Sequence, residues 1–101
     1  MQIPDKVKIG QYDYKVTYDE EDRLLHQDLS GEIDYQKKTI YLAKKDYSEE
    51  FIKGVFIHEV MHGIIYESGH KDICNDETLI EPTGNILYGL IINNTETFKE
   101  V

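Results

Sequence analysis

The sequence predicts an α+β fold, a small and mainly antiparallel sheet of about four strands packed on two helices. Three observations carry this expectation. Val7, Ile9, Tyr12, Tyr14, Val16 and Tyr18 recur with a spacing of two on either side of Gly10-Gln11, and the alternation returns in 31–35 and 39–43, which is the period of half-buried strands. The stretch from Phe51 to Gly69 is apolar on nearly every side and free of proline, so it reads as a helix running through the interior. Leu79, Ile80, Thr83, Ile86, Leu87, Leu90 and Ile91 then form an apolar stripe at helical spacing, with Glu77, Glu81, Asn85 and Tyr88 aligned on another face.

Each element has its own signals. Gly10-Gln11 is a glycine-first two-residue turn closing the first hairpin. The acidic run Asp19-Glu20-Glu21-Asp22 ends the second strand as a solvated turn. Leu24, Leu25 and Leu29 mark a short irregular segment packed on the sheet, with His26 at the surface. Gln36-Lys37-Lys38 closes a second hairpin. Asp46 followed by Glu49 offers a capping box, so the first long helix is expected to begin near Tyr47 and Ser48 and to stop at Gly69. Asp76 can cap the second helix, which runs to about Asn93 or Asn94. Pro82 removes a backbone donor and disfavours the helical conformation at Glu81, so that helix starts at Pro82 or bends there. Residues 95–101 are expected to be a frayed tail, and residues 1–101 a single domain, large enough for one modest core.

Composition narrows the function. The formal charge of -9 disfavours nonspecific binding to nucleic acid or to an anionic membrane, both of which carry the same sign. It permits an acidic protein that imitates a nucleic-acid backbone, although a soluble surface is the commoner cause of such a charge. The single Cys74 excludes an internal disulfide and agrees with a reducing compartment. Residues 1–5 show neither the basic nor the apolar region of a secretory leader, and the apolar runs fall short of a membrane span. A cytoplasmic protein is expected.

Chemistry concentrates in His58-Glu59-Val60-Met61-His62, which has the form H-E-x-x-H. On a helix, residues four apart are rotated by about 40° and separated by roughly 6 Å along the axis, so both imidazoles lean toward one point. Zinc suits such a pair because it takes imidazole nitrogens without a geometric demand of its own. Glu59, between the histidines in sequence and about 60° from His62 around the helix, is placed to act as the general base. Gly54 and Gly63, a turn either side, leave room for something to approach.

Two histidines leave a catalytic zinc one protein ligand short. The spacing from His62 to Glu81, with residues 63–80 between, resembles that of the gluzincin metallopeptidases, in which a glutamate on a following helix completes the site. The resemblance implies His58, His62 and Glu81 as ligands, with Glu77 on the same stripe as the alternative, and places Asn85 where a polar residue orients a ligand histidine. More widely, the segments 31–35, 40–42, 58–69, 75–77 and 81–92 resemble the small zincin-like proteins of phages and mobile elements, minimal relatives of the ImmA/IrrE-type peptidases. That resemblance implies hydrolysis of a peptide or protein substrate in the cytoplasm of a bacterial host cell. It also implies a sheet edge that pairs with an extended peptide, and the strand Thr39–Ala43 is the expected edge. Tyr66, His70 and Tyr88 are the available oxyanion donors. Two other readings stand beside the peptidase. One is a non-catalytic interaction domain stapled by zinc, with Cys74 as a fourth ligand. The other is the acidic nucleic-acid mimic, which needs no metal.

Overall fold

A computed structural model of the protein describes residues 1–99. Strands β1 (Lys6–Ile9) and β2 (Tyr12–Asp19) form the first hairpin, with Ile9 opposite Tyr12 and Gly10 at φ +63°, where a side chain would be strained. A one-turn helix α1 (Arg23–His26) follows and seats Leu24 in the interior. Its first turn is held by Asp19, whose Oδ2 accepts from the Leu24 amide at 2.7 Å. Asp19 is therefore a buried cap rather than part of a solvated turn.

Strands β3 (Gly31–Asp34) and β4 (Thr39–Ala43) form the second hairpin. Its turn is held by Asp34, whose Oδ1 accepts from the amides of Gln36 and Lys37. The sheet order is β1-β2-β4-β3, with β2 and β4 parallel and the other two pairs antiparallel. Strand chemistry explains this order. Thr39-Ile40-Tyr41-Leu42-Ala43 carries no charge and buries all but Tyr41, so it belongs in the centre. β1 carries Lys6 and Lys8, and β3 carries Glu32 and Asp34, the charged residues that edge strands tolerate. The expectation that Thr39–Ala43 is an edge is thus corrected: it is paired on both sides, and the edge on that flank is β3.

Helix α2 (Glu49–Glu67) packs across the sheet, and α3 (Glu77–Asn93) returns against α2. One core of Ile9, Tyr14, Val16, Ile40, Leu42, Phe56, Ile57 and Val60 fills the space between sheet and helices. The cap of α2 is Ser48, whose hydroxyl accepts from the Phe51 amide at 3.2 Å, and not Asp46. Nor is α2 interior on all sides, since Phe51 and Ile64 are exposed. α3 is one helix that contains Pro82 rather than starting there. The proline sits beyond the first turn and leaves the Thr78 carbonyl without its usual donor. Part of the expected tail, Thr95–Phe98, forms a short helix α4, while residues 100 and 101 lie outside the described residues. No helix among the described residues is long and apolar enough to cross a membrane.

Candidate metal centre

The centre is built where α2 and α3 meet. His58 and His62 stand one turn apart on α2, their ring centroids 5.0 Å apart and the rings inclined by 73°. The chain leaves α2 through Gly69 at φ +93° and re-enters a helix at Asp76, whose Oδ1 accepts from the Thr78 amide at 3.0 Å. That cap makes Glu77 the first residue of α3 and turns its carboxylate back toward α2. Glu77 Oε1 lies 2.8 Å from His62 Nε2, and Glu77 Oε2 lies 3.1 Å from His58 Nε2. Among the described residues, His58, His62 and Glu77 form a group whose potential ligand atoms all lie within 4.8 Å of one another.

The tautomer of His62 follows from its other nitrogen. Nδ1 is 2.6 Å from the Cys74 carbonyl oxygen; a carbonyl only accepts, so Nδ1 carries the proton. In the neutral ring Nε2 is then bare and faces a carboxylate oxygen. Two lone pairs at 2.8 Å repel unless a proton or a cation lies between them. A proton on Nε2, making an imidazolium–carboxylate pair, resolves the conflict, and so does a dication held by two imidazole nitrogens and a carboxylate, a donor set that zinc takes. The Cys74 carbonyl also fixes the ring plane, as the outer partners of metal-bound histidines do.

Glu59 lies beside this group at 7% exposure. Burial pushes its carboxyl up to about 8, with Glu77 and then Glu32 adding like-charge repulsion; a dication held by the histidines would work in the opposite sense. The backbone of β3 comes close here. A Cβ on Gly31 would lie 2.6 Å from Val55 Cγ1 and 3.1 Å from Glu59 Oε2, so glycine is required for the edge strand to lie against the Glu59 carboxyl. Gly63 has a different use from the one expected: its open side is filled by Ile9 and Ile33 of the sheet. Gly54 does open onto the cleft.

A cavity of about 790 Å³ runs over the first half of α2 between the β3 edge and α3. It contains His58, Glu59, His62 and Glu77, and also Glu81, Asn85 and Tyr88 from α3. Glu81 thus lines the same cleft one turn further along, outside the close group, and Asn85 is exposed in its wall. Among the proposed oxyanion donors, only Tyr88 lines the cleft, its hydroxyl donating to the Glu50 carbonyl at 3.4 Å. The Tyr66 ring is stacked on Tyr35 with centroids 4.2 Å apart, and His70 pairs with Ser68. The Cys74 thiol donates to the Lys71 carbonyl and is not in the close group. Sequence reasoning missed the Cys74 carbonyl, which as a backbone atom carries no residue-type signal. The sign favouring Glu77 was the Asp76 cap, which places it at the very start of α3.

No protein-family model matches the chain, and no curated protein or solved structure matches it.

Proposed function

We propose that the protein is a zinc-dependent hydrolase of peptide bonds, a minimal metallopeptidase-like domain in which His58, His62 and Glu77 hold the metal and Glu59 is the general base. The observation that supports it is the convergence of His58 Nε2 and His62 Nε2 on the Glu77 carboxylate, beside a buried Glu59 in an open cleft. Zinc, when bound, supplies a Lewis acid that polarises the scissile carbonyl and makes water acidic near neutrality. Glu59 takes the proton of the attacking water on its carboxylate and returns it to the leaving amine. The Cys74 carbonyl keeps His62 in the tautomer that presents Nε2. Tyr88 can exchange its long bond to the Glu50 carbonyl for one to the oxyanion. The free edge of β3, which lines the cleft, offers backbone groups to an extended substrate chain.

On this reading Glu77, rather than Glu81, completes the ligand set, so the spacing to the third ligand departs from the gluzincin one, and the likeness to the phage-borne relatives of the ImmA/IrrE-type peptidases rests on His58-Glu59-Val60-Met61-His62 and the segments around it. The free Cys74 supports the accompanying placement in the cytoplasm. Metal content is the deciding measurement. Protein purified without added zinc should carry about one equivalent, and the Glu77→Ala variant should carry almost none; a wild-type protein that takes up no zinc refutes the proposal. Metal-free function is what the acidic nucleic-acid mimic requires, so the same measurement separates the two.

A further inference from the structure

The cleft around the metal group has a one-sided electrostatic lining. Its walls carry the carboxylates of Asp28, Glu32, Glu50, Glu59, Glu77 and Glu81, and among the described residues lining it there is no lysine or arginine. Glu59 and Glu77 belong to the metal group, and Glu32 is neutralised from outside the cleft by Arg23, through contacts of 2.9 and 3.1 Å. Three carboxylates are left over: Asp28 on the loop before β3, Glu50 in the first turn of α2 and Glu81 on α3. They come from three different walls of one cavity. Lys45, in the adjoining groove, lies over the Tyr47 ring at 5.4 Å.

The same cleft has an apolar shelf. Phe51 and Leu29 line it while 47% and 40% exposed, with Val55 and Ile33 beneath. Large side chains left open beside a site are the usual signature of a surface that a ligand covers. An acidic peptide would gain the shelf but meet charge of its own sign, and a neutral one would gain the shelf alone, whereas a basic one gains both the shelf and the opposite charge.

We infer, building on the hydrolase reading above, that the substrate class is a basic peptide segment. Its lysine or arginine side chains are taken by Asp28, Glu50 and Glu81, and a neighbouring bulky apolar side chain lies on Phe51 and Leu29. Specificity is thereby assigned to residues of the cleft rim that play no part in holding the metal or moving the proton.

The test uses the full chain carrying Glu59→Gln, loaded with zinc, and three capped fluorescent hexapeptides with a central leucine–lysine, leucine–glutamate or alanine–lysine pair, read by anisotropy. The leucine–lysine peptide should bind about tenfold more tightly than the leucine–glutamate peptide, and several-fold more tightly than the alanine–lysine one. The triple variant Asp28→Asn, Glu50→Gln, Glu81→Gln should lose the charge preference. A control with the same change in net charge at exposed positions away from the cleft, Asp13→Asn, Glu21→Gln, Glu96→Gln, should keep it. Equal loss in both triple variants, equal binding of the lysine and glutamate peptides, or no binding of any peptide overturns the inference. Incubation of the same peptides with the zinc-loaded wild-type chain separates it from the hydrolase reading. Charge-selective binding without cleavage by wild type leaves the specificity standing and removes the peptidase; cleavage indifferent to charge does the reverse.

Discussion

Helix α2 carries two clusters of ionisable groups, and they are solved in opposite ways. Near its C-terminus the Glu67 carboxylate receives the Lys38 ammonium and the Tyr14 hydroxyl, each at 2.5 Å, and Lys38 also lies over the rings of Tyr12, Tyr14 and Tyr66. Burial pulls Glu67 upward, but the Lys38 and Tyr14 hydrogen bonds and the Lys38 charge outweigh it and hold the carboxyl below its ordinary range. Charge and hydrogen-bonding capacity are matched within the chain. Two turns earlier, burial pushes Glu59 up to about 8 with Glu77 and Glu32 adding like-charge repulsion, while the Nε2 atoms of His58 and His62 converge on the one Glu77 carboxylate. Ionisable groups that the fold compensates belong to its framework, and a buried carboxyl left uncompensated in a cleft is a functional-site candidate. The difference between the two ends of one helix is what singles out the candidate metal centre.

The sharpest way to break this comparison is to change the uncompensated end. Glu59→Gln should leave zinc content unchanged and lower peptide cleavage by about a thousandfold; full turnover in that variant would remove Glu59 from its role. Next in size, Glu77→Ala should weaken zinc binding by more than about a hundredfold, beyond the loss expected for an outer partner, whereas Glu81→Ala should change it by less than about threefold. Competition with a fluorescent zinc chelator measures both, and reversal of the order would restore Glu81 as the ligand.

A pH titration extends the contrast. In metal-free protein Glu59 has a folded-state value above its ordinary 4.5, so the folded state binds more protons than the unfolded one between roughly pH 4.5 and 8. Stability must therefore fall as pH rises through that window, by a few kcal/mol in all. Glu59→Gln should flatten the slope in urea melts, and zinc should offset it. Glu67 works in the reverse direction. Its folded-state value is depressed, so its contribution is full above its ordinary 4.5 and is lost as pH falls through the lower folded value. The smallest effect is expected for Glu67→Gln, about 1 to 2 kcal/mol of stability at pH 7 with metal binding intact. Loss of zinc in that variant would mean that the two ends of α2 are not independent.

Much of the fold was legible because its signals are local. Period-two strands, the Gly10 turn, the Asp76 cap and the long α2 stretch are each decided within a few residues. Where the reading failed, the deciding contact was remote. Asp46 with Glu49 fits the capping-box pattern, yet it is the Ser48 hydroxyl that accepts from the Phe51 amide. The placement of Thr39–Ala43 as an edge went wrong because strand order depends on which side of β2 the second hairpin lands. Local rules make Pro82 a start of the helix or a bend in it, and the helix capped by Asp76 runs through it from Glu77 to Asn93, packed on α2.

The candidate site divides along the same line. His58 and His62 share a face because four residues nearly complete a helical turn, with Glu59 on the flank beside His62, relations that hold in any α-helix and so are written in the sequence itself. The closeness of Glu77, rather than Glu81, to the two histidines, the Cys74 carbonyl at His62 Nδ1 and the three cleft carboxylates from separate walls depend on how the 68–76 connection folds and on how β3 lies against α2. These are distances between segments that no short-range pattern encodes, and only the packed chain determines them.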